Sequence, residues 1–328
     1  MLLYRGRRNL QRTRVKSTRA PQGTPQGAGE TLEFGGVRVT HAAKIVFGDA
    51  GLTKGDLAAY YAAAAPRILP HLAGRPLSLV RCPDGVGEKC FYQKHPLKGV
   101  TGVDTVIVEE SEGEAPYMIV NSLEGLIGLV QMGTVELHTW GATQPRLDRP
   151  DRMIFDLDPD EGLAWKSVVE AARLVHTTLD ELGLKSFLKT TGGKGLHLVV
   201  PLARRHDWSE VKGFSGALAE HVARVYPGRF TTSMSKARRK ERIFVDYLRN
   251  DRGATAVAAY SVRAKASASV SVPITWEELN VKLPSSFFTL QNVAAHLESK
   301  DDPWSDYWAL KQTLTAGMLR ALRPEGGR

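Results

Sequence analysis

Cysteine is nearly missing from this chain: Cys82 and Cys90 are the two it has in 328 residues. Two thiols cannot build a disulfide framework or a four-thiolate zinc site, so zinc is not expected. Long apolar runs are missing too. No window approaches the ~18 consecutive apolar residues of a membrane span, and no membrane partner is expected. The first residues lack the apolar core of a signal peptide, which leaves a reducing cytoplasm as the expected compartment. Acidic charge is in short supply, with 35 Asp and Glu against 44 Lys and Arg, a net of +9. The imbalance is local. Residues 1–31 carry Arg5, Arg7, Arg8, Arg12, Arg14, Lys16 and Arg19 against Glu30, on a stretch punctuated by Pro21, Gly23, Pro25, Gly27 and Gly29. Such a segment buries little apolar surface and reads as a disordered basic arm. It would attract polyanions, of which nucleic acid is the commonest; a solubilising tail is the plain alternative.

The rest has ordinary globular composition. Hydrophobic residues at 42% and charged residues at 24% suit one large domain or two modest ones. Order is expected from about Leu32, with a short strand and a loop over 37–47. Thr53 opens a helix with Asp56 as its capping-box partner, and Leu57, Tyr60, Tyr61, Ala64 and Ile68 recur at helical spacing through Leu69. Strands are expected at 76–81, 90–93, 103–109, 117–120 and 134–140, with a hairpin loop at 110–116 and a short helix after Ser122. The second half reads as strand 153–158, helix 165–182, strand 186–188, a Gly-rich loop at 190–195, strand 196–202, helix 209–225 and strand 243–248. Short strands at 260–263 and 270–272 follow. A second capping box, Thr275 with Glu278, precedes helices near 289–298 and 303–322. Strands and helices interleave without a strict repeat, so the expected fold class is α+β, a mixed sheet flanked by helices.

Three elements carry chemistry. Asp156 and Asp158 are two apart on one strand, so both carboxylates share a face. Like charges side by side among Ile154, Phe155 and Leu157 need compensation, and a hard divalent cation, Mg²⁺ or Mn²⁺, supplies it. A solvated strand end before Pro159 is the bland alternative. The loop Thr191-Gly-Gly-Lys194-Gly-Leu-His197 lets backbone amides approach a polyphosphate and adds a lysine and a histidine. Alone, it could be a tight hairpin. Asp246 stands mid-strand between Ile243 and Leu248, a third metal ligand if that strand neighbours the acid pair, or else a partner for Arg242 or Arg249. His138, also mid-strand, reads alone as a satisfied core histidine.

Acid pair, Gly-rich loop with histidine, then single acid: in this order they resemble the archaeo-eukaryotic primase–polymerase superfamily. The runs Phe91–His95, Glu136–Trp140, Phe155–Pro159, Lys189–Pro201, Arg242–Asn250 and Gly253–Val262 resemble the polymerase domain of bacterial DNA ligase D, over roughly residues 37–322. The resemblance implies an archaeo-eukaryotic primase-like core and a nucleotidyltransferase that fills gaps and extends 3′ ends at double-strand breaks. It implies a preference for ribonucleotides and a two-metal site with Mn²⁺ or Mg²⁺. Asp156, Asp158 and Asp246 then match the catalytic metal-binding acids. His138, Thr191, Lys194, His197, Arg249 and Arg263 match nucleotide-binding positions; Thr191 stands where the family usually has serine. Phe91 and Tyr92 match an aromatic pair that stacks on bases. His41, Lys44 and Lys54 match a pocket for the downstream 5′-phosphate, with Lys54 on the first turn of the Thr53 helix.

The implied partners are gapped or broken DNA, NTPs or dNTPs, Ku and a separate DNA ligase, with a nucleoid-associated cytoplasmic location. The implied division is an arm at 1–31, a primase–polymerase domain at 32–322 and a tail at 323–328. Within the domain, 32–150 would hold the 5′-phosphate pocket, 151–275 the catalytic part and 276–322 the closing helices. No Lys-x-Asp-Gly ligase signature occurs and no stretch would house the nuclease, so a stand-alone polymerase or an excised fragment is expected. Two alternatives remain: a primase that starts chains de novo, and a non-catalytic module that bridges DNA ends.

Overall fold

The structure is a computed structural model that describes residues 29–111, 113–299 and 301–324. The basic arm, up to Ala28, and the end of the tail lie outside the described residues. The chain runs β1 (Leu32–Phe34), β2 (Val37–Val39), β3 (Ile45–Phe47), β4 (Leu52–Thr53), α1 (Lys54–Leu72), β5 (Leu77–Arg81), β6 (Phe91–Gln93), β7 (Val103–Glu110), β8 (Gly113–Val120), α2 (Leu123–Gln131) and β9 (Thr134–Trp140). It continues through β10 (Arg152–Pro159), α3 (Trp165–Glu181), β11 (Phe187–Thr190), β12 (Leu196–Pro201), α4 (Trp208–Val225), β13 (Phe230–Thr231), β14 (Ile243–Asp246), β15 (Thr255–Val257), β16 (Pro273–Ile274), α5 (Val293–Ser299) and α6 (Ala316–Ala321).

Two sheets organise this α+β fold. The larger has the order β13-β14-β10-β12-β11-β16, the smaller β15-β9-β5-β6. Every neighbouring pair in them is antiparallel except β13 with β14. β10 is central because Met153, Ile154, Phe155 and Leu157 are all buried, while α3 and α4 pack against it. α1 starts where its cap dictates: Thr53 Oγ1 accepts from Asp56 N–H, and the Asp56 carboxylate accepts from Thr53 N–H at 2.8 Å. Its buried stripe of Leu57, Tyr61, Ala64 and Ile68 follows the helical period. Among the described residues no helix is long and apolar enough to cross a membrane.

Several expectations are corrected. Most of the hairpin loop expected at 110–116 is strand instead, because β7 and β8 stay paired as far as Glu110 and Gly113. β14 stops at Asp246, and Leu248 falls on a 3₁₀ turn rather than on the strand. Thr275 and Glu278 form their reciprocal bonds, yet only a turn follows. There Trp276 stacks on His176 at 3.8 Å and donates its indole N–H to Ser186 O, and these contacts outweigh helical propensity. The strands expected at 260–263 and 270–272 reduce to a single bridge between Val262 and Val270.

The long helix expected over 303–322 is a 3₁₀ turn, Ser305–Trp308, and the short α6. Between them Gln312 donates to Lys185 O, just before β11, and to Pro201 O, at the end of β12, instead of joining a helix of its own. Cys82 and Cys90 are bonded to each other. The register of β5 on β6 pairs Arg81 with Phe91, which brings the next residue on each side face to face.

Candidate active site

The antiparallel register of the large sheet builds one charged row. Asp156 on β10 lies opposite Asp246 on β14 and opposite His197 on β12, and Lys189 on β11 lies beyond His197. Partners across a sheet point to the same face. Asp158, two residues along β10, shares that face. The sheet thus brings together the three predicted acids and His197. His197 Nε2 stands 3.4 Å from Asp156 Oδ2. Arg249, on the turn after β14, reaches Asp246 at 3.2 Å and Asp156 at 3.8 Å, while Arg239 reaches Asp158 at 3.0 Å. Asp246 therefore does both things weighed from its sequence: it faces the acid pair and it pairs with Arg249.

Electrostatics separate the three acids. Burial pushes the Asp156 carboxyl up, but His197, Arg249 and Lys189 outweigh it and the net shift is downward. Asp158 and Asp246 are both raised, by burial first; the neighbouring Asp156 charge adds to each. Burial, then Lys189, lowers His197 to about 4, so its ring is neutral near pH 7. Three carboxylates offer the hard oxygens that Mg²⁺ or Mn²⁺ takes. Among the described residues no group of three or more His, Cys, Asp and Glu is drawn together as a metal cage. The donor chemistry fits a divalent cation, while the arrangement itself is one of carboxylate–arginine pairs.

The Gly-rich loop joins β11 to β12 against this row. Gly192 has φ +64, a left-handed conformation with Arg263 and the Val270 backbone pressed close. Gly195 backs onto Leu157 O, leaving no room for a side chain there. The loop is tied down from later in the chain. Ser285 donates to Gly195 O at 2.5 Å and accepts from Thr191 N–H at 3.1 Å; Ser269 donates to Gly192 O at 2.5 Å. Arg263 donates to Thr191 O. The Thr191 hydroxyl is used within the loop, donating to Gly195 O at 3.0 Å. Lys194 projects outward, paired with Glu161 at 2.9 Å.

Loop, row and small sheet enclose a cleft of about 480 Å³. Its walls include Tyr92, His138, Asp156, Asp158, Thr191, Lys194, His197, Arg249 and Arg263, all singled out from sequence. Asp246 and Phe91 are not among its lining residues. Tyr92 is 72% exposed at the mouth, whereas the Phe91 ring packs beneath Arg81. Sequence reasoning missed Lys265, which lines the cleft, and two buried groups behind it, Glu136 and Lys189. The signal for Glu136 was its place two residues before His138 on one strand. Lys189 carried none until the register was known.

A second cavity, of about 390 Å³, gathers His41, Lys44 and Lys54 around Gln131, with Val46, Leu57 and Val130 forming an apolar floor. Lys54 Nζ donates to Thr40 O at 3.0 Å and to Gln131 Oε1 at 2.8 Å. Lys44 Nζ donates to Pro83 O at 2.6 Å and lies 3.5 Å from Asp84. Burial, then the charge of Lys44, lowers the Lys54 ammonium to about 8.

A family model described as the LigD primase-polymerase domain matches residues 53–304. The chain is similar to the multifunctional non-homologous end joining protein LigD of Pseudomonas aeruginosa, 45% identical over 293 residues, which cover 88% of this chain and 34% of that protein. It is also similar to the bifunctional LigD of Bacillus subtilis, 27% identical over 83% of this chain and 44% of the relative. It thus spans less than half the length of either. Among solved structures, the polymerase domain from Mycobacterium tuberculosis ligase D in complex with DNA is similar, with a TM-score of 0.79 and 30% identity. That match covers 84% of this chain and 99% of the other.

Proposed function

The chain belongs to the LigD primase-polymerase family of nucleotidyltransferases, and from that premise we propose that it performs template-directed nucleotidyl transfer at gapped or broken DNA ends during end joining. One observation carries the reading: Asp156, Asp158 and His197 line a cleft rimmed by Lys194, Arg249, Arg263 and Lys265, and Asp246 lies opposite Asp156 in the same cross-sheet row. Acidic floor and basic rim suit a nucleoside triphosphate whose reacting phosphate must meet the acids. Asp156, Asp158 and Asp246 would hold Mn²⁺ or Mg²⁺, which when bound supplies charge to activate the primer hydroxyl and steady the departing pyrophosphate.

In this reading Lys194, Arg249 and Arg263 bind the triphosphate, and Tyr92 takes the base. Ribonucleotides are the preferred substrates. His41, Lys44 and Lys54 grip the 5′-phosphate across a gap and position the enzyme at a break, with Ku and a separate ligase as partners. Primer extension on gapped DNA with Mn²⁺, comparing UTP with dTTP, tests the proposal. Extension that requires template and primer supports it. Synthesis without primer would favour a primase, and no synthesis under any condition would favour a DNA-end-bridging module.

A further inference from the structure

Glu136 lies on β9 two positions before His138, so both side chains leave the same face of the strand. It is 5% exposed. Burial pushes its carboxyl up, yet His138, Arg263 and the Ala264 amide prevail and hold it at about 2. Its Oε2 meets His138 Nε2 at 2.7 Å and lies 3.1 Å from Arg263 Nε; its Oε1 accepts from Ala264 N–H at 2.6 Å. An ionised carboxylate only accepts, so the proton of that 2.7 Å bond sits on Nε2. Burial lowers the His138 ring, and with Arg263 and Lys189 it outweighs the upward pull of Glu136, so the net shift favours the neutral ring. A neutral imidazole has one N–H, so Nδ1 is a bare acceptor. Such a lone pair repels a phosphate oxygen and attracts a hydroxyl.

Position narrows the hydroxyl. The exposed Tyr92 ring meets His138 edge-on at 6.1 Å. Arg263 meets the carboxylate that His138 shares. With a base against Tyr92 and phosphates at Arg263, the group between them is the sugar. We propose that Glu136 is a positioning residue that fixes His138 as the acceptor for a ribose hydroxyl of the incoming nucleotide, while anchoring Arg263 from the same carboxylate. This rests on the nucleotide-binding reading of the cleft and adds which part of the nucleotide His138 meets, and why.

Single-nucleotide insertion opposite thymine, by the full chain on a primer–template, tests it with ATP, 2′-deoxy-ATP and 3′-deoxy-ATP. The wild type should lose about tenfold in kcat/KM with whichever analogue lacks the bonded hydroxyl. In Glu136→Gln the amide can donate to Nε2 and release the tautomer, so that ratio should fall to within about twofold. Any weaker grip by Arg263 lowers all three substrates alike and cancels in the ratio. A ratio unchanged in the variant, or equal use of all three nucleotides by the wild type, overturns the inference and leaves the polymerase reading standing. No insertion of any nucleotide by the wild type overturns that reading instead. Should Glu136→Gln fail to fold, ¹⁵N spectra of histidine-labelled wild type decide, with His138→Gln assigning the signal. The inference requires an unprotonated Nδ1 near pH 7 that shifts with ATP and not with inorganic triphosphate. A protonated Nδ1 refutes it.

Discussion

If Lys54 grips a 5′-phosphate, its grip should loosen as pH rises through a window that the structure sets. In the free protein, burial and Lys44 lower the Lys54 ammonium to about 8. A terminal phosphate is already dianionic above about pH 7, since its second pKa is about 6. It favours the charged lysine, so bound Lys54 keeps its proton to higher pH. A charge-assisted contact is worth about 1.5–3 kcal/mol, a factor of roughly 10–150 in affinity. The same free energy raises the pKa of bound Lys54 by about one to two units. Preference for 5′-phosphate over 5′-hydroxyl ends should therefore be full near pH 7, begin to fall near 8 and be largely spent by about 10. What remains at high pH reports Lys44. Fluorescence anisotropy on the two gapped DNAs, at constant ionic strength, measures the ratio. Lys54→Met keeps the apolar stem and removes the charge, so its ratio should be lower and nearly independent of pH. A wild-type ratio near one, or one that stays flat from pH 7 to 10, would sink the assignment.

Asp156→Ala and Asp158→Ala should each abolish extension, a loss of several kcal/mol of transition-state stabilisation, with DNA affinity nearly unchanged; normal extension by either variant would refute the acid assignment. Asp246→Asn should also stop extension without lowering thermal stability. Burial and Asp156 raise the Asp246 carboxyl, so its charged form is disfavoured in the fold at neutral pH, and a drop of many degrees in Tm would count against this. Removing residues 1–28 should weaken DNA binding and flatten its salt dependence while sparing extension at saturating DNA; an unchanged salt slope would make the arm a bystander.

Much of the fold was legible wherever a local signal agreed with burial. Thr53, Ser122 and the stripe of α3 announced their helices, and the apolar run around Asp156 announced a central strand. Misreadings cluster in the last third, where partners far away in the chain decide. Trp304 donates its indole N–H to Leu188 O and stacks on Tyr307, which a helical reading of 303–322 could not foresee. Neither could it foresee Gln312 bonding the last carbonyl of β12. In each case a polar group of the sheet is satisfied by a residue more than a hundred positions away, and no periodicity encodes that pairing.

The site divides along the same line. Asp156 and Asp158 shared a face by strand geometry alone, since two residues on one strand need no partner to be compared. Whether Asp246 joined them depended on which strand became the neighbour of β10 and in what register. A slip of one residue would have turned Asp246 to the opposite face. Lys189 was invisible for the same reason: it entered the row only through β12, beyond His197. Yet that hidden lysine helps to decide the chemistry. It acts with burial to lower His197 and helps to lower Asp156, while burial, then Arg263, pushes its own ammonium well below the ordinary lysine range. The identity of the acids was written locally, whereas their protonation states are a property of the assembled sheet. Substitutions at Lys189 should therefore alter the pH dependence of the site before they alter its shape.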